Sequence, residues 1–221
     1  MAGSGMQRVF ADREEAGREL ADRLGRYAGR DDVVVLALPR GGVPVAREVA
    51  DALDAPLDVL VVRKLGLPAQ PELALGAVAS GGVRILNREL VDSLGLAEEE
   101  LEELTERERV EVARREDAYR GGRGPTPVEG RTVILVDDGV ATGATLRAAV
   151  RSLRKRGPSR VVAAVPVAAP DSAETLREEV DELVCVQTPP GFFAVGQFYA
   201  HFPQVPGEQV REMLEREAAG S

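Results

Sequence analysis

The sequence predicts an α/β fold, a central parallel sheet flanked by helices. Short apolar runs at residues 33–38, 57–62, 133–136, 160–165 and 182–186 lack polar alternation, the pattern of strands buried on both faces. Between them lie stretches with apolar residues three and four apart, the spacing of helices that bury one face. Two runs end abruptly: VVVLAL meets Pro39-Arg40-Gly41-Gly42, and VILV meets Asp137-Asp138. In open α/β sheets ligands bind outside the carboxyl ends of the strands, so those junctions are where function is sought.

Taken in order, residues 12–27 read as a helix. Asp12 and Glu15 form a capping pair, and Ala16, Leu20, Leu24 and Tyr27 fall on one face. Strand 33–38 is followed by a helix that Pro44 helps to start, with Val45, Val49 and Leu53 inward. Strand 57–62 completes a βαβ unit, so the two strands are expected to be parallel. Residues 62–82 mix basic residues, two prolines and four glycines. They read as a long loop that orders on binding, with one short strand at 73–79. Residues 83–86 pair with that strand as a hairpin around Ser80-Gly81-Gly82. Residues 98–119 form a charged helix with a thin apolar face, Leu101, Leu104 and Val112, and 121–130 a Gly/Pro loop. Beyond strand 133–136, Leu146, Val150 and Leu153 mark a helix, followed by strand 160–165, helix 171–180 and strand 182–186. An aromatic tail (188–205) and a last helix (208–217) end the chain.

At 221 residues the chain has room for one α/β domain with a full core. The reading is one domain over 6–221, with a catalytic core at about 10–165 and a small C-terminal hood at about 166–205. Residues 1–5, ahead of Met6, read as a cloning remnant. A net charge of −9 argues against nonspecific nucleic-acid binding, which needs a basic face. No apolar run approaches a membrane span and no signal-peptide pattern is present, so a cytoplasmic protein is expected. The single cysteine, Cys185, sits in an apolar run and reads as packing. With a single histidine, His201, it excludes a Cys/His zinc cluster.

The most informative stretch is RTVILVDDGVATGAT, residues 131–145. It reads as a strand, two acids at the strand end, a loop of small residues, and a helix start. The glycines allow close backbone approach, and the free N–H groups of the loop and helix start suit an anion. Carboxylates repel phosphate but accept hydrogen bonds from sugar hydroxyls. Acids and loop together describe a site for a phosphorylated sugar, and an acidic turn with capping threonines is the plainer alternative.

VILVDDGVATGAT resembles the phosphoribosyl pyrophosphate (PRPP) motif of the type I phosphoribosyltransferases: an apolar run, two acids, and a loop ending T-G-x-T/S. The resemblance implies that family's fold, with a hood and a flexible active-site loop, and its reaction, transfer of 5-phosphoribosyl from PRPP to a nitrogenous acceptor with release of pyrophosphate. It implies that Asp137 and Asp138 hold the ribose hydroxyls directly or through water on Mg²⁺. Ala141, Thr142, Gly143, Ala144 and Thr145 would then hold the 5-phosphate. Pro39-Arg40-Gly41-Gly42 resembles the family's pyrophosphate loop, so Arg40, Gly41 and Gly42 are expected to bind PRPP.

VVRKLGLP is similar to the segment that opens the flexible loop of adenine and orotate phosphoribosyltransferases, which makes Arg63 and Lys64 catalytic cations at the same sheet edge. A further lysine normally follows there, and this sequence has Gly66 and Leu67. FFAVG resembles the hood segment of the 6-oxopurine enzymes, with Phe193 stacking on the base and Val195 beside it. The acid expected after its glycine is replaced by Ala200, and the lysine near the end of the fourth strand is absent. The family usually forms dimers. A Mg²⁺-dependent, homodimeric phosphoribosyltransferase acting on a purine-like nucleobase is therefore expected. A non-catalytic PRPP or nucleotide sensor with the same fold is the alternative.

Overall fold

The structure, a computed structural model, describes residues 8–67 and 70–215; the segment 1–5 lies outside them. Helix α1 (Arg13–Leu24) starts where Asp12 accepts the N–H of Glu15 at 2.8 Å. Glu15 in turn takes the N–H of Ala11. The helix tightens into a 3-10 turn over Gly25–Tyr27, and all four expected inward residues are buried. Strand β1 (Val33–Ala37), helix α2 (Gly42–Leu53) and strand β2 (Leu57–Val59) form the expected parallel βαβ unit.

The apolar run 57–62 is not one strand. The Leu60 N–H still donates to the carbonyl of Ala37 at 2.9 Å, but Val61 turns away, bonded to both the Oγ and the N–H of Ser80. Strand β3 (Val62–Leu67) then opens a second sheet with β4 (Gln70–Ala79) and β5 (Val83–Leu86), antiparallel in the order β3-β4-β5. Leu60 and Val61 are both buried, so hydrophobicity runs on while the pairing partner changes. The long loop expected at 62–82 is thus corrected to two paired strands, whose connection at 68–69 lies outside the described residues. The hairpin expected around 80–82 is present, with Gly81 and Gly82 at φ +78° and +70°.

Helix α3 (Arg88–Leu94), capped by Asn87, was not expected from the sequence. Helix α4 (Glu98–Arg120) buries Leu101 and Val112 and packs along β3. Strand β6 (Thr132–Val136), helix α5 (Ala144–Arg154), strand β7 (Arg160–Val167), helix α6 (Pro170–Glu179) and strand β8 (Glu182–Gln187) follow as predicted. Helix α7 (Gly207–Glu215) covers the described part of the last expected helix.

Among the described residues the central sheet has five parallel strands, ordered β2-β1-β6-β7-β8. Its two faces bury separate clusters. Leu20, Leu24, Val45 and Val49 pack on one face, and Leu146, Val150, Leu153 and Leu176 on the other. Every residue of β1 and β6 is buried, as two-sided covering of a parallel sheet requires. The tail folds back on the chain's beginning: the Phe10 N–H donates to Phe198 O, and the Ala200 N–H donates to Phe10 O, each at 2.8 Å. No helix among the described residues is long and apolar enough to cross a membrane.

Candidate active site

Strands β1 and β6 are neighbours, Ala37 level with Val136, so residues 38–42 and 137–145 leave the same carboxyl edge. The two loops touch. A Cβ added at Gly41 would lie 2.0 Å from Asp138 Oδ2, and one at Gly42 would lie 2.8 Å from Val136 O. These glycines are therefore needed for contact between the loops. The Gly42 N–H is spent on Leu38 O at 3.1 Å, and the N–H groups of Arg40 and Gly41 have no backbone partner among the described residues. The Pro39–Arg40 peptide bond is cis.

The two acids are held differently. Asp137 Oδ1 accepts the N–H of Asp138 at 2.9 Å. Asp138 Oδ2 accepts from Arg13 Nε at 2.9 Å, and Arg13 Nη1 donates to Pro203 O at 2.8 Å. The Arg13 guanidinium lies 3.8 Å from the centroid of the Phe202 ring, and the Tyr199 hydroxyl donates to Asp138 O at 2.5 Å. Burial, and then the charge of Asp138, push Asp137 well above the usual carboxylate range. Burial also raises Asp138, and Arg13 opposes the rise. Burial pushes the Tyr199 phenol up, so it stays a donor. Sequence reading missed Arg13. The signal was a cation in the first turn of a helix, where the helix dipole favours anions, so some other partner had to hold it there.

Beyond the acids, Gly139 is pressed beneath Val195: a Cβ there would come within 2.5 Å of Val195 Cγ1. Val140 anchors the loop to β7 through its N–H to Val167 O at 2.9 Å. Gly143, at φ +73°, turns the chain into α5, and Thr142 Oγ1 accepts the Ala144 N–H at 3.5 Å. The N–H groups of Ala141, Thr142 and Gly143 have no hydrogen-bond partner among the described residues. They precede the first turn of α5, where unpaired N–H groups make a region of positive potential.

The basic pair does not act as one edge. It belongs to β3 of the second sheet, not to the central sheet, and both residues line a cavity of about 430 Å³ between β3 and α4. Arg63 Nε donates to Glu108 of α4 at 2.9 Å, whereas exposed Lys64 borders a cavity of about 670 Å³ together with Ala144 and Thr145. Arg40 is exposed beside Arg114 and Arg115 of α4. In the tail, Phe193 is 91% exposed, its N–H held by Gln197 Oε1, while Phe192 packs on Phe198. Cys185 donates to Gln187 O, and burial pushes its thiol up to about 11, the behaviour of a packed cysteine.

Asp137 and Asp138 are the carboxylates this edge offers, and no group of three or more acids, cysteines or histidines suited to a metal occurs among the described residues. So short a donor set fits Mg²⁺, which keeps several waters and takes other ligands from substrate phosphates. The raised Asp137, left with only an N–H donor for its charge, would be eased by such a cation.

Residues 9–201 match the model of the phosphoribosyl transferase domain. A Mycobacterium tuberculosis protein named as a phosphoribosyl transferase is 48% identical over 209 residues, 95% of this chain and 47% of that protein. The chain thus spans about half the length of that relative. The uracil phosphoribosyltransferase of Streptomyces griseus is 31% identical over 154 residues, 68% of this chain and 67% of that enzyme. A crystal structure of a Thermus thermophilus protein superposes with a TM-score of 0.83 at 44% identity, covering 94% of this chain and 98% of that one. With a parallel five-stranded sheet, a paired-acid strand end and a family match over most of its length, the chain belongs to the phosphoribosyl transferase domain family.

Proposed function

We propose that the chain transfers the 5-phosphoribosyl group of PRPP to a nucleobase nitrogen, with Mg²⁺, and releases pyrophosphate. The observation that carries this is one sheet edge holding two carboxylates beside three N–H groups without partners. The carboxylates of Asp137 and Asp138 accept the ribose 2- and 3-hydroxyls, directly or through metal-bound water. The N–H groups of Ala141–Thr145, with the Thr142 and Thr145 hydroxyls, bind the 5-phosphate. Arg40, Gly41 and Lys64 face the diphosphate, and Gly42 keeps that loop seated. Val195, packed over Gly139, and exposed Phe193 of the same segment take the base, since an exposed aromatic suits stacking on a heterocycle.

In the reaction the anomeric C–O bond breaks, its electron pair leaving with pyrophosphate. The acceptor nitrogen's lone pair forms the new C–N bond, and the proton displaced from that nitrogen passes to solvent. No protein nucleophile is needed. Positioning and charge stabilisation do the catalysis, and Mg²⁺ held near Asp137 and Asp138 would lower the charge on the leaving group.

The hood's FFAVG favours a purine-like acceptor, and the likeness to a uracil enzyme adds uracil to the candidates. A homodimer in the cytoplasm is the setting proposed, and sedimentation tests the dimer. The test of function is pyrophosphate release from PRPP over a panel of purine and pyrimidine bases. Turnover with one base supports the reading. PRPP binding with no turnover on any base supports the sensor instead.

A further inference from the structure

The first turn of α1 is a poor place for a cation, because the unpaired N–H groups there are already positive. Arg13 nonetheless occupies it, with its side chain 10% exposed. A buried guanidinium is costly unless several groups hold it, and three do, one on the acid motif and two on the tail. Nε donates to Asp138 Oδ2 at 2.9 Å and Nη1 donates to Pro203 O at 2.8 Å. The plane of the group lies 3.8 Å from the centroid of the Phe202 ring.

These contacts join the end of β6 to the segment assigned to the base. Phe202 lies against Gly196, where an added Cβ would come within 3.1 Å of Phe202 Cδ1, and Gly196 follows Val195. Val195 in turn sits over Gly139, the residue after Asp138. Tyr199 adds a second tie: its hydroxyl donates to Asp138 O at 2.5 Å, and its ring stacks on Phe202 with centroids 4.8 Å apart. The bond from Arg13 also fixes the rotation of the Asp138 carboxylate. It occupies Oδ2 and leaves Oδ1 without a hydrogen-bond partner among the described residues, free to accept a hydroxyl. Neutralising Asp138 would need only a charge. Reaching Asp138 and Pro203 O together uses the planar fork of a guanidinium, which the point charge of a lysine does not reproduce.

We propose that Arg13, with Tyr199 as the second tie, is a positioning residue for the transfer: it holds the ribose-binding carboxylate of Asp138 and the base-binding segment at Val195 at one fixed separation. This rests on the PRPP reading above. Arg13 acts through Asp138 and the tail, and it gains or loses no proton and forms no bond to substrate. Its contribution is proximity, and a displacement of about 1 Å between reacting groups costs on the order of a hundredfold in rate.

Calorimetry on the full chain reads that separation with two kinds of probe. Ribose 5-phosphate reports the acids and phosphate loop alone. The 5-monophosphates of adenosine, guanosine, inosine and uridine report ribose and base together. The readout is how much tighter the best of these nucleotides binds than ribose 5-phosphate. Arg13→Lys keeps a cation beside Asp138, and Tyr199→Phe removes only the second tie. Each is expected to hold ribose 5-phosphate within about threefold and to lower the nucleotide's advantage about tenfold. A purely structural role would leave that advantage unchanged in both variants, whether or not the two probes weaken together, and that result would overturn the proposal. A wild-type chain that binds ribose 5-phosphate but no nucleotide more tightly overturns it too, with the base assignment. A wild-type chain that binds neither probe overturns the PRPP reading as well.

Discussion

Asp138 and Arg13 carry the most consequential contact at the scale of single residues. Their side chains are 15% and 10% exposed, so removing the guanidinium strands a carboxylate where water reaches it poorly. Arg13→Met is expected to cost about 3 kcal/mol in urea denaturation, within the range for broken buried pairs, and a cost under about 1 kcal/mol would show the pair to be solvent-screened. Asp137 works in the opposite direction. Its raised folded value means the native chain holds that proton more tightly than the unfolded chain does. Stability is then lost as pH rises from the ordinary aspartate value of about 3.9 through the folded one. Asp137→Asn should remove that loss and melt higher than wild type at neutral pH while binding PRPP poorly. A variant that melts lower would refute the assignment of burial as the cause. The paired acids were legible in the sequence because a strand ending in two carboxylates is a long pattern. Arg13 was not, because its partner lies 125 residues away.

Among the elements, the strands of the central sheet were legible, because covering on both faces imprints unbroken apolar runs. The second sheet was not. Its glycines read as loop signals, yet Gly66 marks irregular register and Gly76 close approach within paired strands. The register of β3 against β4 shifts on both sides of Gly66, and a Cβ at Gly76 would sit 2.0 Å from Ile85 O of β5. Gly76→Val is therefore expected to force β4 and β5 apart and to destabilise by about 2 kcal/mol. Amide exchange reads the effect element by element: faster exchange at 83–86 with unchanged exchange in β1 and β6 is the expected result. Unchanged exchange throughout would mean the sheet absorbs the side chain. The break at Leu60-Val61 escaped the sequence for a related reason, since both sheets bury it and periodicity does not report a change of partner.

Across the whole molecule, a net charge of −9 coexists with locally basic cavities, such as the one lined by Arg40, Arg114 and Arg115, so the average says little about any one face. Composition argued against a nonspecific nucleic-acid binder and left open a small anion held locally. One parallel sheet gathers the loops after β1 and β6 at a single edge, and Arg40 of the first loop lies beside Arg114 and Arg115 of α4. The sequence placed Arg63 and Lys64 on that edge because the turn from one sheet to the other was invisible. The structure puts them on the second sheet, where both line the cavity between β3 and α4; Arg63 bonds Glu108, and Lys64 also borders the cavity at the start of α5. Titration calorimetry of the full chain with PRPP and Mg²⁺, wild type beside the Asp137→Asn, Asp138→Asn double variant, tests the central claim most directly. Saturable binding in the wild type, weakened about a hundredfold or more in the double variant, is predicted. Equal affinity in the two proteins, or no heat from either, would contradict it.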